Sequence, residues 1–196
     1  MKFFPVIVIG ILAVSVGAAI WMATGSRDEQ APQQTATTDA EQFKQEYPET
    51  PEDNRFIYAS SEQIIETFES GDGLVFLGFP ECPWCQVITP ILDEAAKAEN
   101  LDEILYYNIR EDRESNDPVY QQLVEYLEEY LRTDEDGTPR IYVPDISAIR
   151  NGEIVGYFTQ PESEEEQVSP DTFWTEERST QAVDQLRSMI QEIQDQ

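Results

Sequence analysis

The chain has 196 residues, of which 40 are acidic, 12 basic and none histidine, giving a formal net charge of −28, and it holds only two cysteines. Such acidity excludes nucleic acids and anionic lipid headgroups as natural partners, because both repel a strongly negative surface. Two cysteines without any histidine also fall short of the four ligands that a structural zinc ion usually takes, so no metal is expected.

The first 25 residues contain a single charge, Lys2, and an apolar run over 6–14. At 1.5 Å per residue the stretch 3–25 is long enough for the ~30 Å hydrocarbon layer of a bilayer. It is expected to be an uncleaved transmembrane anchor over 1–25, with a signal peptide cleaved near Val16-Gly17-Ala18 as the alternative. Lys2 on one side and Arg27, beside Asp28 and Glu29, on the other put the N-terminus in the cytosol and the bulk of the chain outside. Residues 26–54, rich in Gln, Thr, Pro, Asp and Glu, offer too little apolar surface to offset ordering and are expected to be a disordered acidic tether. The remainder, 55–196, is expected to be one domain.

Phe56-Ile57-Tyr58 reads as a short strand. Ser60 and Gln63 have capping-box spacing at the start of a helix with Ile64, Ile65 and Phe68 inward, which Gly71 ends. The continuous apolar run 74–79 is of strand length and suits a central strand covered on both faces. A helix from Pro83 to about Glu99 places Val87, Ile88, Ile91, Leu92 and Ala95 inward. A strand at 104–109 and a charged loop at 110–115 follow, and Asp117 before Pro118 opens a helix through Leu131. After a turn at 134–137 come apolar segments at 141–143 and 146–149, then an Asn151-Gly152 hairpin turn into 154–158. Residues 159–174 form an acidic excursion, and Thr175 caps a last helix that buries Val183, Leu186, Ile190 and Ile193. This order of elements predicts an α/β domain, a mixed sheet with helices on both faces.

Both cysteines lie in Phe79-Pro80-Glu81-Cys82-Pro83-Trp84-Cys85, between the apolar strand and the helix. A bridge across two residues adds little chain-entropy stabilisation, so redox chemistry explains the pair better than stapling. Cys82 sits where unpaired backbone N–H groups and the helix dipole stabilise a thiolate, which makes it the nucleophile; Cys85, one turn inward, is the resolving thiol. Glu81 and the overall negative field act the other way, and the sequence leaves the sign of the net shift open. Trp84 reads either as a platform beside the dithiol that touches substrate or as a ring packed on the sheet edge. The acidity either keeps the chain soluble and monomeric or draws in a basic peptide.

Three further features stand at matching distances. Pro90 follows Cys85 by five residues, Val143-Pro144 places a proline eight residues before Gly152, and Asn151-Gly152-Glu153 forms the intervening turn. With the cysteine motif they give residues 56–193 a pattern that resembles the thioredoxin superfamily. More narrowly, the segment 77–85, the run Tyr106-Tyr107-Asn108-Ile109, the inserted helix after Asp117 and the segment 141–144 look like thioredoxin-like proteins of Gram-positive bacteria labelled bacteriocin transport accessory proteins. The resemblance implies a thioredoxin-like fold with an inserted helix and a redox-active Cys82–Cys85 disulfide as the only redox group. It also implies a cis Pro144 beside the sulfurs, a Val143 backbone that binds substrate as a strand would, and protein or peptide thiols and disulfides as substrates. A membrane redox partner would recharge the pair.

One departure stands out: the thioredoxin pattern has a buried Asp six residues before the first cysteine, and here that residue is Phe76. Glu81, water or another carboxylate is left as proton acceptor. The expected function is a membrane-anchored, extracytoplasmic thiol-disulfide oxidoreductase. The alternative is a thioredoxin-fold accessory protein that holds a secreted peptide and can dispense with its dithiol.

Overall fold

Residues 38–160 and 168–195 are described by the computed structural model, and the first of them correct the tether expected over 26–54. Thr38 and Glu41 form a reciprocal capping box that opens helix α1 (Asp39–Glu46). Phe43 and Tyr47 are completely buried. The Phe43 ring stacks on Phe56 at 3.9 Å and on Tyr47 at 4.3 Å, and meets Tyr106 edge-on at 5.1 Å. Thr50 donates to Thr89 at 2.8 Å, and the Asn54 side-chain amide donates to Ala40 O at 3.0 Å and Pro51 O at 2.8 Å, seating the segment that follows. Average composition hid this helix, because its hold on the core rests on where two large aromatic side chains land and not on how many apolar residues the segment has. The expected anchor and the remainder of the tether, 1–37, lie outside the described residues. Among the described residues no helix is long and apolar enough to cross a membrane.

The chain continues through β1 (Phe56–Tyr58), α2 (Ser61–Ser70), β2 (Gly73–Gly78), α3 (Pro83–Ala98), β3 (Ile104–Asn108), α4 (Arg110–Ser115) and α5 (Pro118–Leu127). A 3-10 turn (Glu128–Tyr130) leads to β4 (Arg132–Thr133), β5 (Pro139–Arg140), β6 (Asp145–Arg150), β7 (Glu153–Thr159), α6 (Pro170–Phe173) and α7 (Glu176–Gln194). Five strands form one sheet in the order β1-β3-β2-β6-β7. β1 and β2 run parallel to β3, whereas β6 is antiparallel to β2 and β7 to β6. This is an α/β architecture, a mixed sheet flanked by helices, and it is compatible with a thioredoxin-like fold. β2 is buried along both faces from Leu74 to Gly78, as its unbroken apolar run predicts. The two faces are covered by different helices. A Cβ on Gly156 would fall 2.6 Å from Met189 of α7, whereas one on Gly73 would meet Thr67 of α2 at 3.6 Å.

Several elements differ from expectation for local reasons. Residues 110–115 are helical: Glu111 and Asp112 favour the first turn, and Asn116 closes it at φ 49°, a conformation Asn tolerates. The helix opened by Asp117 stops at Leu127 instead of Leu131. Residues 141–143 form no strand; the chain pairs earlier, through the β4–β5 ribbon, and the Ile141 N–H donates to the Tyr120 hydroxyl at 3.2 Å. The excursion at 159–174 contains the single turn α6 and, at 161–167, residues outside those described. Thr175 does cap α7, whose buried face is Ala182, Leu186, Met189 and Ile190.

If α1 is part of the core, Phe43→Ala should cost about 3–5 kcal/mol. Urea unfolding of the two proteins measures this, and an unchanged midpoint would return the segment to a tether.

Candidate functional site

Cys82 is the N-cap of α3, and its sulfur accepts the Cys85 N–H at 3.1 Å. Pro83 at the next position has no N–H to leave unpaired and a φ already suited to a first turn. The Cys82 sulfur also lies 3.7 Å from the Val143 carbonyl oxygen. The Val143-Pro144 bond is cis. Thr159 of β7 donates to Pro144 O at 2.9 Å and so ties this corner to the sheet. On the other side, the Gln86 amide donates to Pro80 O at 2.7 Å and to Glu46 O at 2.8 Å, which joins the motif loop to the end of α1. Cys82 retains 6 % of its surface and Cys85 none, and the two are free thiols. Trp84 is half-buried and sits edge-on to Phe173 of α6 at 5.3 Å. Its ring packs against the core instead of standing free.

The two sulfurs titrate in opposite directions. The Cys82 thiol is pushed below the ordinary cysteine range, first by the hydrogen bond from Cys85 and, against burial, by the N–H groups of Cys85 and Trp84 and the charge of Arg113. Cys85 is pushed well up, first by burial and then by its interactions with Cys82. Glu81, which opposes a thiolate on sequence grounds, is paired with Arg110 at 2.8 Å.

Beneath Cys85 the floor is aromatic. A Cβ on Gly78 would fall 2.6 Å from the Phe76 ring and 3.3 Å from the Cys85 sulfur, so ring and sulfur share the space that glycine leaves. Phe76 stacks with Tyr106 at 5.5 Å, and the Tyr47 hydroxyl donates to that of Tyr106 at 3.2 Å. Burial pushes both hydroxyls far up, which keeps them neutral.

Sequence reasoning passed over two groups beside Pro144 and the motif. Asp145 is completely buried, accepts from the Tyr157 hydroxyl at 2.6 Å and from Ser147 at 3.4 Å, and is pushed up to about 7 by burial. It pairs with Leu77, so it occupies the sheet face opposite Phe76 and Gly78 and does not replace the missing Asp beside Cys85. The second group is cationic. Arg113 lies 4.9 Å and Arg110 5.7 Å from the Phe79 ring centre, and Arg132 and Arg140 lie 4.9 Å and 6.0 Å from that of Tyr142. The only signal in the sequence was the spacing of Arg110 and Arg113, which a loop assignment discards.

Among the described residues no cluster of three or more His, Cys, Asp or Glu side chains could hold a metal ion. Comparison with protein-family models, curated proteins and solved structures gives no match.

Two outcomes follow from these environments. Alkylation of Cys82 by iodoacetamide should reach half its maximal rate below the ordinary thiol value of about 8.5, with Cys85 unreactive in the same range. Equal labelling of both sulfurs would contradict the asymmetry. For Asp145, the folded state keeps a proton that the unfolded chain, with a carboxyl near 3.9, releases first. Its contribution is therefore complete below about pH 4 and lost as pH rises towards about 7. Asp145→Asn should gain stability relative to the native protein between pH 4 and pH 8, by up to about 4 kcal/mol in urea titrations. A pH-independent difference would show that the carboxyl ionises freely.

Proposed function

We propose that Cys82 and Cys85 are the redox centre of a thioredoxin-like thiol-disulfide oxidoreductase acting on protein or peptide cysteines. The chain acts as a monomer at the extracytoplasmic face of a membrane, tethered by the apolar segment 3–25. The observation that carries this reading is the division of labour between two sulfurs one helical turn apart. Cys82 holds the residual exposure and the N–H groups that favour a thiolate; Cys85 is sealed and favours the thiol.

In the reducing direction the Cys82 thiolate attacks one sulfur of a substrate disulfide. A Cys82–substrate bond forms, the substrate S–S bond breaks, and the first substrate sulfur departs as thiolate. Cys85 then gives up its proton and attacks the Cys82 sulfur, which closes the Cys82–Cys85 disulfide and expels the second substrate sulfur. Two electrons pass from the dithiol to the substrate. The departing thiolate is a base of suitable strength for the Cys85 proton, so a floor built from Phe76, Tyr47 and Tyr106 needs no carboxylate for the step to balance. The same steps reversed hand the disulfide to a substrate dithiol, and a membrane redox partner sets the direction. Val143 and Pro144 support this reading by placing a backbone carbonyl beside the attacking sulfur, where an extended substrate can lie.

Cys85→Ala should accumulate mixed disulfides through Cys82 in cells, visible as adducts on non-reducing gels, and the further change Cys82→Ser should remove them. Absence of adducts, with cellular function retained when both cysteines are serine, would instead identify an accessory protein that holds a peptide.

A further inference from the structure

The chain carries 40 carboxylates, yet two of its guanidinium groups line one cavity without an ion pair to any of the described ones. Arg113 of α4 and Arg140 of β5 line one open cavity of about 510 Å³, and Arg113 also lies over the Phe79 ring at the start of the cysteine motif. Among the described residues neither forms an ion pair, although Arg110, Lys97 and Arg187 all do. The Arg113 Nε is buried and has no hydrogen-bond partner. Burial and then the charge of Arg140 push Arg113 below its usual value. Two carboxylates, Glu125 and Asp134, also line the cavity. Asp134 spends one oxygen on the backbone N–H groups of Asp136 and Thr138, and Glu125 is exposed. An unpaired, partly desolvated guanidinium is costly, and a second beside it raises the cost. Such an arrangement suits an anion that both guanidinium groups can reach.

Its position says which anion. Arg140 begins the segment that runs through Tyr142 and Val143 to the cis Pro144, and Arg113 lies over Phe79 with its charge felt at the Cys82 sulfur. A peptide whose cysteine reaches Cys82 would carry its neighbouring side chains over this pair. We infer that Arg113 and Arg140 form a carboxylate subsite that selects substrates with an acidic side chain next to the reacting cysteine. The preference runs opposite to the one that a net charge of −28 implies for the surface as a whole. The inference rests on the oxidoreductase reading for its substrate, and its test keeps the two apart.

Three fluorescent peptides that differ only in the residues flanking a central serine, set as Asp, Asn or Lys, are titrated into the full-length chain. The serine removes all thiol chemistry, so anisotropy reads the subsite alone. The Asp peptide should bind at least about tenfold tighter than the Lys peptide at low salt, and the gap should narrow as salt rises. Arg113→Gln or Arg140→Gln should erase the difference, and Arg140→Glu should invert it in favour of Lys, a gain that misfolding cannot produce. Equal binding of the three peptides, or an Asp preference that survives both Gln variants, would overturn the subsite. The matching cysteine peptides are then offered as disulfides to Cys85→Ala. Failure of Cys82 to trap any of them would overturn the oxidoreductase reading whatever the serine peptides show, whereas equal trapping of all three would leave that reading and remove the subsite.

Discussion

The first turn of α3 leaves backbone N–H groups without carbonyl partners, and Cys82 meets that demand with sulfur where most helices use oxygen. Much of the surrounding structure keeps this cap in place. Pro83 removes one unpaired donor, Gln86 fastens the loop before the helix, and the corner from Ile141 to Pro144 closes over the sulfur. A cap that accepts hydrogen bonds gains from becoming an anion, so the interaction that opens the helix also favours the Cys82 thiolate.

The opposite character of Cys85 depends on the core. Its sulfur shares a Gly78-sized gap with Phe76, and that ring belongs to an aromatic layer running through Tyr106, Tyr47 and Phe43 to Phe56. Two of those rings come from α1 and the residue that follows it. Helix α1 is therefore both part of the core and the back wall of the dithiol, and loosening it would wet the resolving thiol. An aromatic floor and burial keep Cys85 protonated, which suits the proposed step, whose base arrives with the substrate.

Charge is distributed against the average. Acidic residues dominate the chain, yet Arg110, Arg113, Arg132 and Arg140 gather over Phe79 and Tyr142 on either side of the cysteine motif. Aromatic faces hold these guanidinium planes, and Arg110 is paired with Glu81 and Glu114 as well. On the proposed reading, the net negative charge repels anions at long range and the Arg113–Arg140 pair accepts them at contact. Selection by contact is the expected result, since beyond about 10 Å salt screens the rest.

Local rules made much of this legible. Capping residues at Ser60, Asp117 and Thr175, the apolar run of β2, the Asn151-Gly152 turn and the cysteines at a helix entry act within a few residues, so the sequence alone determined those helix starts, the central strand and the pair of candidate sulfurs. Composition averaged over 26–54 concealed α1, because its stability comes from where Phe43 and Tyr47 land and not from how many apolar residues the segment holds. The sign of the Cys82 shift, the upward push on Asp145 behind the cis proline and the arginine rim were decided only by tertiary structure. The first two turn on burial weighed against nearby donors, and the third gathers groups tens of residues apart; desolvation and electrostatic interactions follow distance in space, which the order of residues along the chain does not give.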